Sequence, residues 1–220
     1  MRALVIGASG GIGGALVAAL RAQGADVTAL SRSGDGLDVT DPVSVATHLE
    51  ALAGPFQRIL ITTGALEIDG IGPEKALKQL TPEAMLAQFR LNAVGPALVL
   101  RHVPGLLARD SAAVVAALSA RVGSIGDNRA GGWHSYRAAK AALNQIVRGA
   151  AIELARSHPQ AACVALHPGT VQTDLARKYV GNHPAVTPQD AAANLLRVID
   201  GLGAQDSGGF FDWAGKAIPW

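Results

Sequence analysis

An α/β fold, a doubly wound parallel sheet with helices on both faces, is what the sequence predicts, and three observations predict it. Apolar runs without polar alternation recur along the chain, segments with helical spacing separate them, and a glycine-rich turn joins the first run to the first helical segment. Strands covered by helices on each side read as continuous apolar runs, because neither face meets water. The alternation continues to the end, and no linker or composition break divides the 220 residues. The expectation is therefore a single domain over 1–220.

The apolar runs are Ala3 to Ile6, Val27 to Leu30, Ile59 to Thr62, Ala113 to Leu118 and Ala161 to Leu166. Helical spacing covers Gly11 to Gln23, Pro42 to Ala53, Pro82 to Leu107, Ser135 to Ser157 and Pro188 to Gly201. Asp41-Pro42, Thr81-Pro82 and Thr187-Pro188 each set a capping side chain before a proline at the first helical position, where the missing N–H costs nothing. Ser31 to Asp41 reads as a short polar loop with a small strand at Leu37 to Val39. The final GGFFDWAGKAIPW reads as a last strand, a turn and an apolar tail whose terminal Trp220 packs against the body of the fold.

Composition removes several function classes. With 49% hydrophobic and 16% charged residues the chain is not disordered. The pI is near 8.9, but 19 Lys+Arg against 17 Asp+Glu are dispersed, so nothing marks a nucleic-acid surface. Cys163 is the only cysteine. An internal disulfide and a cysteine-based metal cluster are excluded, and His48, His102, His158 and His183 show no ligand spacing, so no metal is expected and a reducing, cytoplasmic setting is. Arg2 and the apolar run after it imitate a signal peptide, but GASGGIGG interrupts the run and marks a first βα unit instead. No stretch suits a membrane span, and the expectation is a soluble protein with no membrane or nucleic-acid partner.

The turn after the first strand reads Gly7-Ala8-Ser9-Gly10-Gly11-Ile12-Gly13. Glycines let the backbone turn tightly and approach a pyrophosphate, while the free N–H groups and dipole at a helix start attract its charge. The spacing fits GxxxGxG through Gly7, Gly11 and Gly13, and it fits GxxGxxG through Gly10 as well. After the second strand, where a carboxylate would accept the ribose hydroxyls of NAD, the chain has Ser31-Arg32-Ser33. A guanidinium there pairs with a 2′-phosphate, so NADP(H) is preferred with Arg32 as its clamp, and NAD(H) is possible. Asp38 and Val39 lie where a short loop reaches the adenine.

Tyr136 and Lys140 sit four residues apart on a helical pattern, hence on one face. Together with the glycine loop and His167-Pro168-Gly169 after a strand, Tyr136-x-x-x-Lys140 resembles the short-chain dehydrogenase/reductase family across nearly the whole chain. GSIGDNRAGGWHSYRAAKAALN and the closing GGFFDWAGKAIPW resemble its small carbonyl-reductase, C-factor-like branch. The resemblance implies a Rossmann-type domain, a homodimer or homotetramer, and hydride transfer between the cofactor and a small carbonyl or alcohol. It implies that Tyr136 gives or takes the proton and that Lys140 tunes Tyr136 and holds the nicotinamide ribose. A phenol titrating near ~10 is a poor acid at neutral pH, and an adjacent ammonium is expected to lower it. The cofactor contacts implied are Gly7, Ser9, Gly11, Ile12, Gly13, Arg32, Asp38, Val39, Gly64, Tyr136, Lys140, Pro168, Gly169, Val171 and Thr173, with the Thr173 hydroxyl on the carboxamide.

Asn92 is a third candidate. It lies four residues before Pro96, whose missing N–H frees the Asn92 carbonyl inside a helical pattern. RLNAVGP matches the family segment whose asparagine holds a water linked to the lysine; the alternative is a kink in which Asn92 serves only the local backbone. The serine departs from the family pattern. Ser-Ser-x-x-Gly is replaced by Ser119-Ala120-Arg121-Val122-Gly123, so the usual donor to the substrate oxygen is alanine. Ser119, at the strand end, and Ser124, twelve residues before Tyr136, are the two candidates to replace it. His134 and His167 read as structural. The stretch between Thr173 and Thr187 is short for a substrate lid and suits an open cleft that accepts varied carbonyl compounds. Intact Tyr136, Lys140 and Asn92 favour an enzyme; Ala120 favours a C-factor-like signalling or NADP-sensing protein with weak or no catalysis. An extended epimerase or dehydratase suits GxxGxxG but needs more chain after Pro168.

Overall fold

A computed structural model describes residues 1–173 and 185–220. Its strands are β1 (Arg2–Ile6), β2 (Asp26–Leu30), β3 (Arg58–Ile61), β4 (Ala113–Leu118), β5 (Ala161–His167) and β6 (Phe210–Asp212). Its helices are α1 (Gly11–Ala22), α2 (Arg32–Asp35), α3 (Pro42–Glu50), α4 (Pro82–Phe89), α5 (Gly95–Leu106), α6 (His134–Leu154) and α7 (Pro188–Gly201). The strands pair in parallel in the order β2-β1-β3-β4-β5-β6, so the Rossmann-type α/β reading holds. Alternate side chains feed two apolar layers. Leu4, Ile6, Val115 and Cys163 face α3, α5 and α6, whereas Val5, Val114, Val164 and Leu166 face α1 and α7. The three capping side chains read from the sequence all accept their N–H bonds, Asp41 from Val43, Thr81 from Ala84 and Thr187 from Asp190.

Two expectations fail for backbone reasons. Leu37 to Val39 is not a strand. Ser31 caps the single turn α2, the Leu37 N–H bonds the Ser31 carbonyl and the Asp38 N–H bonds the Ser44 hydroxyl, so these groups serve the turn rather than a sheet partner. The helix expected over Pro82 to Leu107 is interrupted by a π turn at Arg90–Val94, where the Gly95 N–H reaches back five residues to the Arg90 carbonyl. Pro96 cannot donate, and the wider turn absorbs that loss between α4 and α5. At the other end the tail folds back: the Trp220 ring stacks on Phe210 with centroids 5.7 Å apart.

Candidate active site

The nucleotide end is backbone. Gly7 takes a left-handed φ of 92°, its N–H bonds the Leu30 carbonyl, and Gly10 caps α1. A Cβ on Gly13 would overlap the Gly7 carbonyl oxygen, so α1 can start this close to β1 only without a side chain there. Gly7, Ser9, Arg32, Asp38, Val39 and Gly64 line one open cleft at the carboxyl ends of β1, β2 and β3. That edge of a parallel sheet is where helix starts and loop N–H groups converge. Ile12 instead packs toward the α1 and α7 layer. The Asp38 carboxylate is held below its usual range by the Thr40 N–H and hydroxyl, each at 2.8 Å, with Arg32 and Arg90 adding charge. Thr63 places a buried hydroxyl oxygen without a protein partner in the same cleft. A glycine-rich cradle, a guanidinium at Arg32 and an orphaned hydroxyl suit a phosphorylated dinucleotide.

The chemical end begins on α6. Lys140 is buried and donates to the Leu118 carbonyl at 3.0 Å from the end of β4, with its nitrogen 5.8 Å from the centre of the Tyr136 ring. Burial pushes the Lys140 ammonium down to about 8. The Tyr136 phenol is pushed up from its ordinary value by burial as well, against the expectation that the ammonium would lower it. Desolvation is the cause, because a phenolate is disfavoured where burial keeps water from it. Trp133 packs edge-on to Tyr136, with centroids 6.4 Å apart.

Asn92, in the π turn, is fully buried, and its side-chain amide is committed. Its oxygen accepts the Ala65 N–H at 3.1 Å, and its nitrogen donates to the Ala65 carbonyl at 2.9 Å and to Gln88 Oε1 at 2.7 Å. Gly64 lies between the two elements, since a Cβ there would stand 2.7 Å from Asn92 Oδ1 and 3.2 Å from Lys140 Nζ. Asn92 and Lys140 therefore flank the same point of the cleft.

The two serines have other partners. Ser119 is buried and its hydroxyl donates to Asn144 Oδ1 at 2.6 Å, inside the layer under α6. Ser124 donates to the Pro219 carbonyl and accepts the Asp127 N–H at 3.0 Å, tying the loop before α6 to the tail. Ala120 follows Ser119 at the end of β4, and Arg121 pairs with Asp127 at 2.8 Å and Asp212 at 3.0 Å. Beyond β5, Gly169 at φ 81° lies under Trp213, Val171 is buried, and Thr173 contacts the start of α1, where a Cβ on Gly11 would stand 2.9 Å from its methyl. Pro168 to Thr173 thus borders the glycine loop. Burial and the nearby Arg121 push His167 down to about 4, against the pull of Asp212, so its imidazole is neutral. The stretch read as a short lid lies largely outside the described residues.

Gln88, Asn144 and Thr63 were not legible as site residues from their chemistry alone. Spacing carried a signal for two of them: Gln88 precedes Asn92 by four residues, and Asn144 extends the Tyr136 and Lys140 row by another four. Thr63 had none, because its meaning comes from the cleft. Among the described residues no group of histidines, cysteines and carboxylates could hold a metal ion, and no helix is long and apolar enough to cross a membrane.

Known proteins resemble the chain in sequence and in fold. The sequence profile of the family described as Enoyl-(Acyl carrier protein) reductase matches residues 7–201. A 1-hydroxy-2-glutathionyl-2-methyl-3-butene dehydrogenase from Rhodococcus sp. (strain AD45) is 33% identical over 232 residues, spanning 99% of this chain and 98% of that one. The C-signal protein of Myxococcus xanthus is 39% identical over 137 residues, 62% of this chain and 78% of its own. In structure, the NADPH-bound carbonyl reductase from chicken fatty liver superposes with a TM-score of 0.82 at 23% identity, covering 100% of this chain and 94% of that one. The carbonyl reductase Sniffer of D. melanogaster gives 0.81 at 19% identity, covering 100% and 99%. From its glycine loop, its Tyr136 and Lys140 helix and these relatives, the chain belongs to the short-chain dehydrogenase/reductase family.

Proposed function

We propose that this protein is an NADP(H)-dependent oxidoreductase that reduces a small carbonyl compound, or oxidises the corresponding alcohol, with Tyr136 as proton donor or acceptor. The observation that carries the reading is the meeting of α6 and the π turn at Gly64: Lys140 and Asn92 flank one end of a cleft whose other end holds Arg32. When bound, the dinucleotide would supply the hydride for the carbonyl carbon. Tyr136 gives its hydroxyl proton to the oxygen that gains charge, and positioned proton transfer of this kind contributes typically ~10²–10⁴-fold. Lys140, still an ammonium at neutral pH with a value of about 8, donates to the ribose and favours the phenolate left behind. Arg32 pairs with the 2′-phosphate and selects NADP(H). Spectroscopic assay of NADPH oxidation against a panel of aldehydes and ketones tests the proposal; binding without turnover on every member would defeat it.

A second reading is favoured by one specific observation. Ala120 lacks a hydroxyl, and Ser119 and Ser124 have theirs bonded elsewhere, so the oxygen donor of the family pattern has no evident substitute. A cofactor-binding protein with weak or no catalysis would bind NADPH, reduce nothing, and gain activity on Ala120→Ser.

A further inference from the structure

The helix that carries Tyr136 starts without a cap of its own. Trp133, at the left-handed φ of 52°, precedes the first turn, and an indole donates but cannot accept. The N–H groups of the first turn need acceptors that the local sequence does not offer. One comes from Glu74, 61 residues earlier, in the long connection after β3. Glu74 accepts the Ser135 N–H at 3.2 Å with one oxygen and the Ser135 hydroxyl with the other, and its own carbonyl accepts the Trp133 N–H at 2.5 Å. Both side chains are buried, Glu74 at 7% exposure and Ser135 at 1%. Burying a carboxylate is costly unless it is bonded, and the positive end of a helix offsets that cost. Burial accordingly opposes the Glu74 charge, but the Ser135 bonds and His134 nearby hold it below its usual range.

The same connection is fixed at its start. Asn92 holds Ala65 through both amide atoms, and Gln88 donates to the Leu66 carbonyl at 2.9 Å. One loop therefore ties the π turn to the first turn of α6. We infer that Glu74 is a positioning residue for Tyr136: its carboxylate replaces the missing helix cap and locks the turn from which the phenol projects. The inference rests on Tyr136 as the proton donor.

Glu74→Ala removes both bonds, Glu74→Gln keeps an acceptor for the Ser135 N–H and a partner for its hydroxyl, and Ser135→Ala removes only the hydroxyl bond. Glu74→Ala should lower kcat on the order of 10-fold while the Kd for NADPH stays within about twofold, since small misplacements near the reacting atoms are felt mainly in turnover. Glu74→Gln should restore most of the loss. In a Tyr179→Phe background Tyr136 is the sole tyrosine, and ultraviolet titration of its phenol should shift downward in Glu74→Ala as the loosened turn admits water. Unchanged kcat in Glu74→Ala, or parallel losses of kcat and NADPH affinity that Glu74→Gln does not rescue, overturns the inference. Should Glu74→Ala fail to fold, Ser135→Ala must show the same split between kcat and Kd at smaller size, or the inference is wrong. If the parent reduces no carbonyl compound, the proposed function fails, and the titration alone decides the role of Glu74: a displaced phenol sustains it and an unmoved one rejects it.

Discussion

The two ends of the cleft are built by different means. The end that holds Arg32 is built around one short turn, Gly7 to Gly13, whose glycines leave room where the backbone must come close, as at Gly7 and Gly13. The chemical end is drawn from the π turn, the ends of β4 and β5, α6 and the connection after β3, and almost every polar side chain there has a named partner. Local backbone geometry makes the first, and long-range hydrogen bonding makes the second. Substitutions should therefore separate: at the chemical end they alter turnover, and at the nucleotide end they alter cofactor choice.

The sharpest contrast is Tyr136→Phe, which should lower kcat by ~10²–10⁴-fold, the range for a positioned acid, while NADPH titration shows near-normal affinity. Retention of most turnover on a confirmed substrate would break the division between the two ends at its centre. Next in size is Ala120→Ser. If neither committed serine assists the oxygen, restoring the hydroxyl should raise kcat by about 10²-fold, the scale of one preorganised donor. Ser119→Ala, by contrast, should cost ~1–3 kcal/mol of stability by orphaning Asn144 Oδ1, read as a fall in the urea midpoint, with little change in kcat. A large kcat loss at unaltered stability would put the Ser119 hydroxyl on the substrate after all.

Arg32→Ala tests the opposite end. It should shrink the preference for NADPH over NADH by about 10- to 100-fold, equivalent to the ~1.5–3 kcal/mol of a charge-assisted bond, and leave kcat on saturating cofactor unchanged. Equal affinities in the parent would remove the clamp. A different readout is stability against pH. Lys140 drops from an ordinary 10.5 to about 8 in the fold, so the unfolded chain binds more protons between those limits. Stability of the cofactor-free protein should then rise with pH from about 8 toward 10.5, as the buried ammonium is relieved of its charge. Lys140→Met should lack that slope in urea unfolding followed across the same range.

The alternation of strands and helices, the three helix caps and the glycine loop were legible because each depends on neighbours in the chain: apolar runs, a side chain two or three residues from an N–H, a turn that glycine makes without strain. The row of Tyr136 and Lys140 was legible for the same reason, at one helical turn. Leu37 to Val39 misled because an apolar pair flanking a polar residue resembles an edge strand, and its fate was decided by Ser31 and Ser44 bonding its backbone. The helix over Pro82 to Leu107 showed where it was weak, at Asn92 and Pro96, but not that the chain would widen into a π turn.

By itself the sequence determined an alternating α/β chain, a glycine-rich turn after the first strand, a tyrosine and lysine on one helical face, and an alanine where the family places a serine. Those are properties of spacing and residue type. Only the tertiary structure decided that Ser119 bonds Asn144, that Ser124 bonds the tail, that Lys140 stands beside the phenol ring while burial raises Tyr136, and that Glu74 caps the helix beginning at His134. Each joins residues far apart in the chain or depends on how much water reaches a group. Hydrogen-bond partners and desolvation are set by which surfaces meet when helices close over a sheet, and no local pattern encodes that meeting.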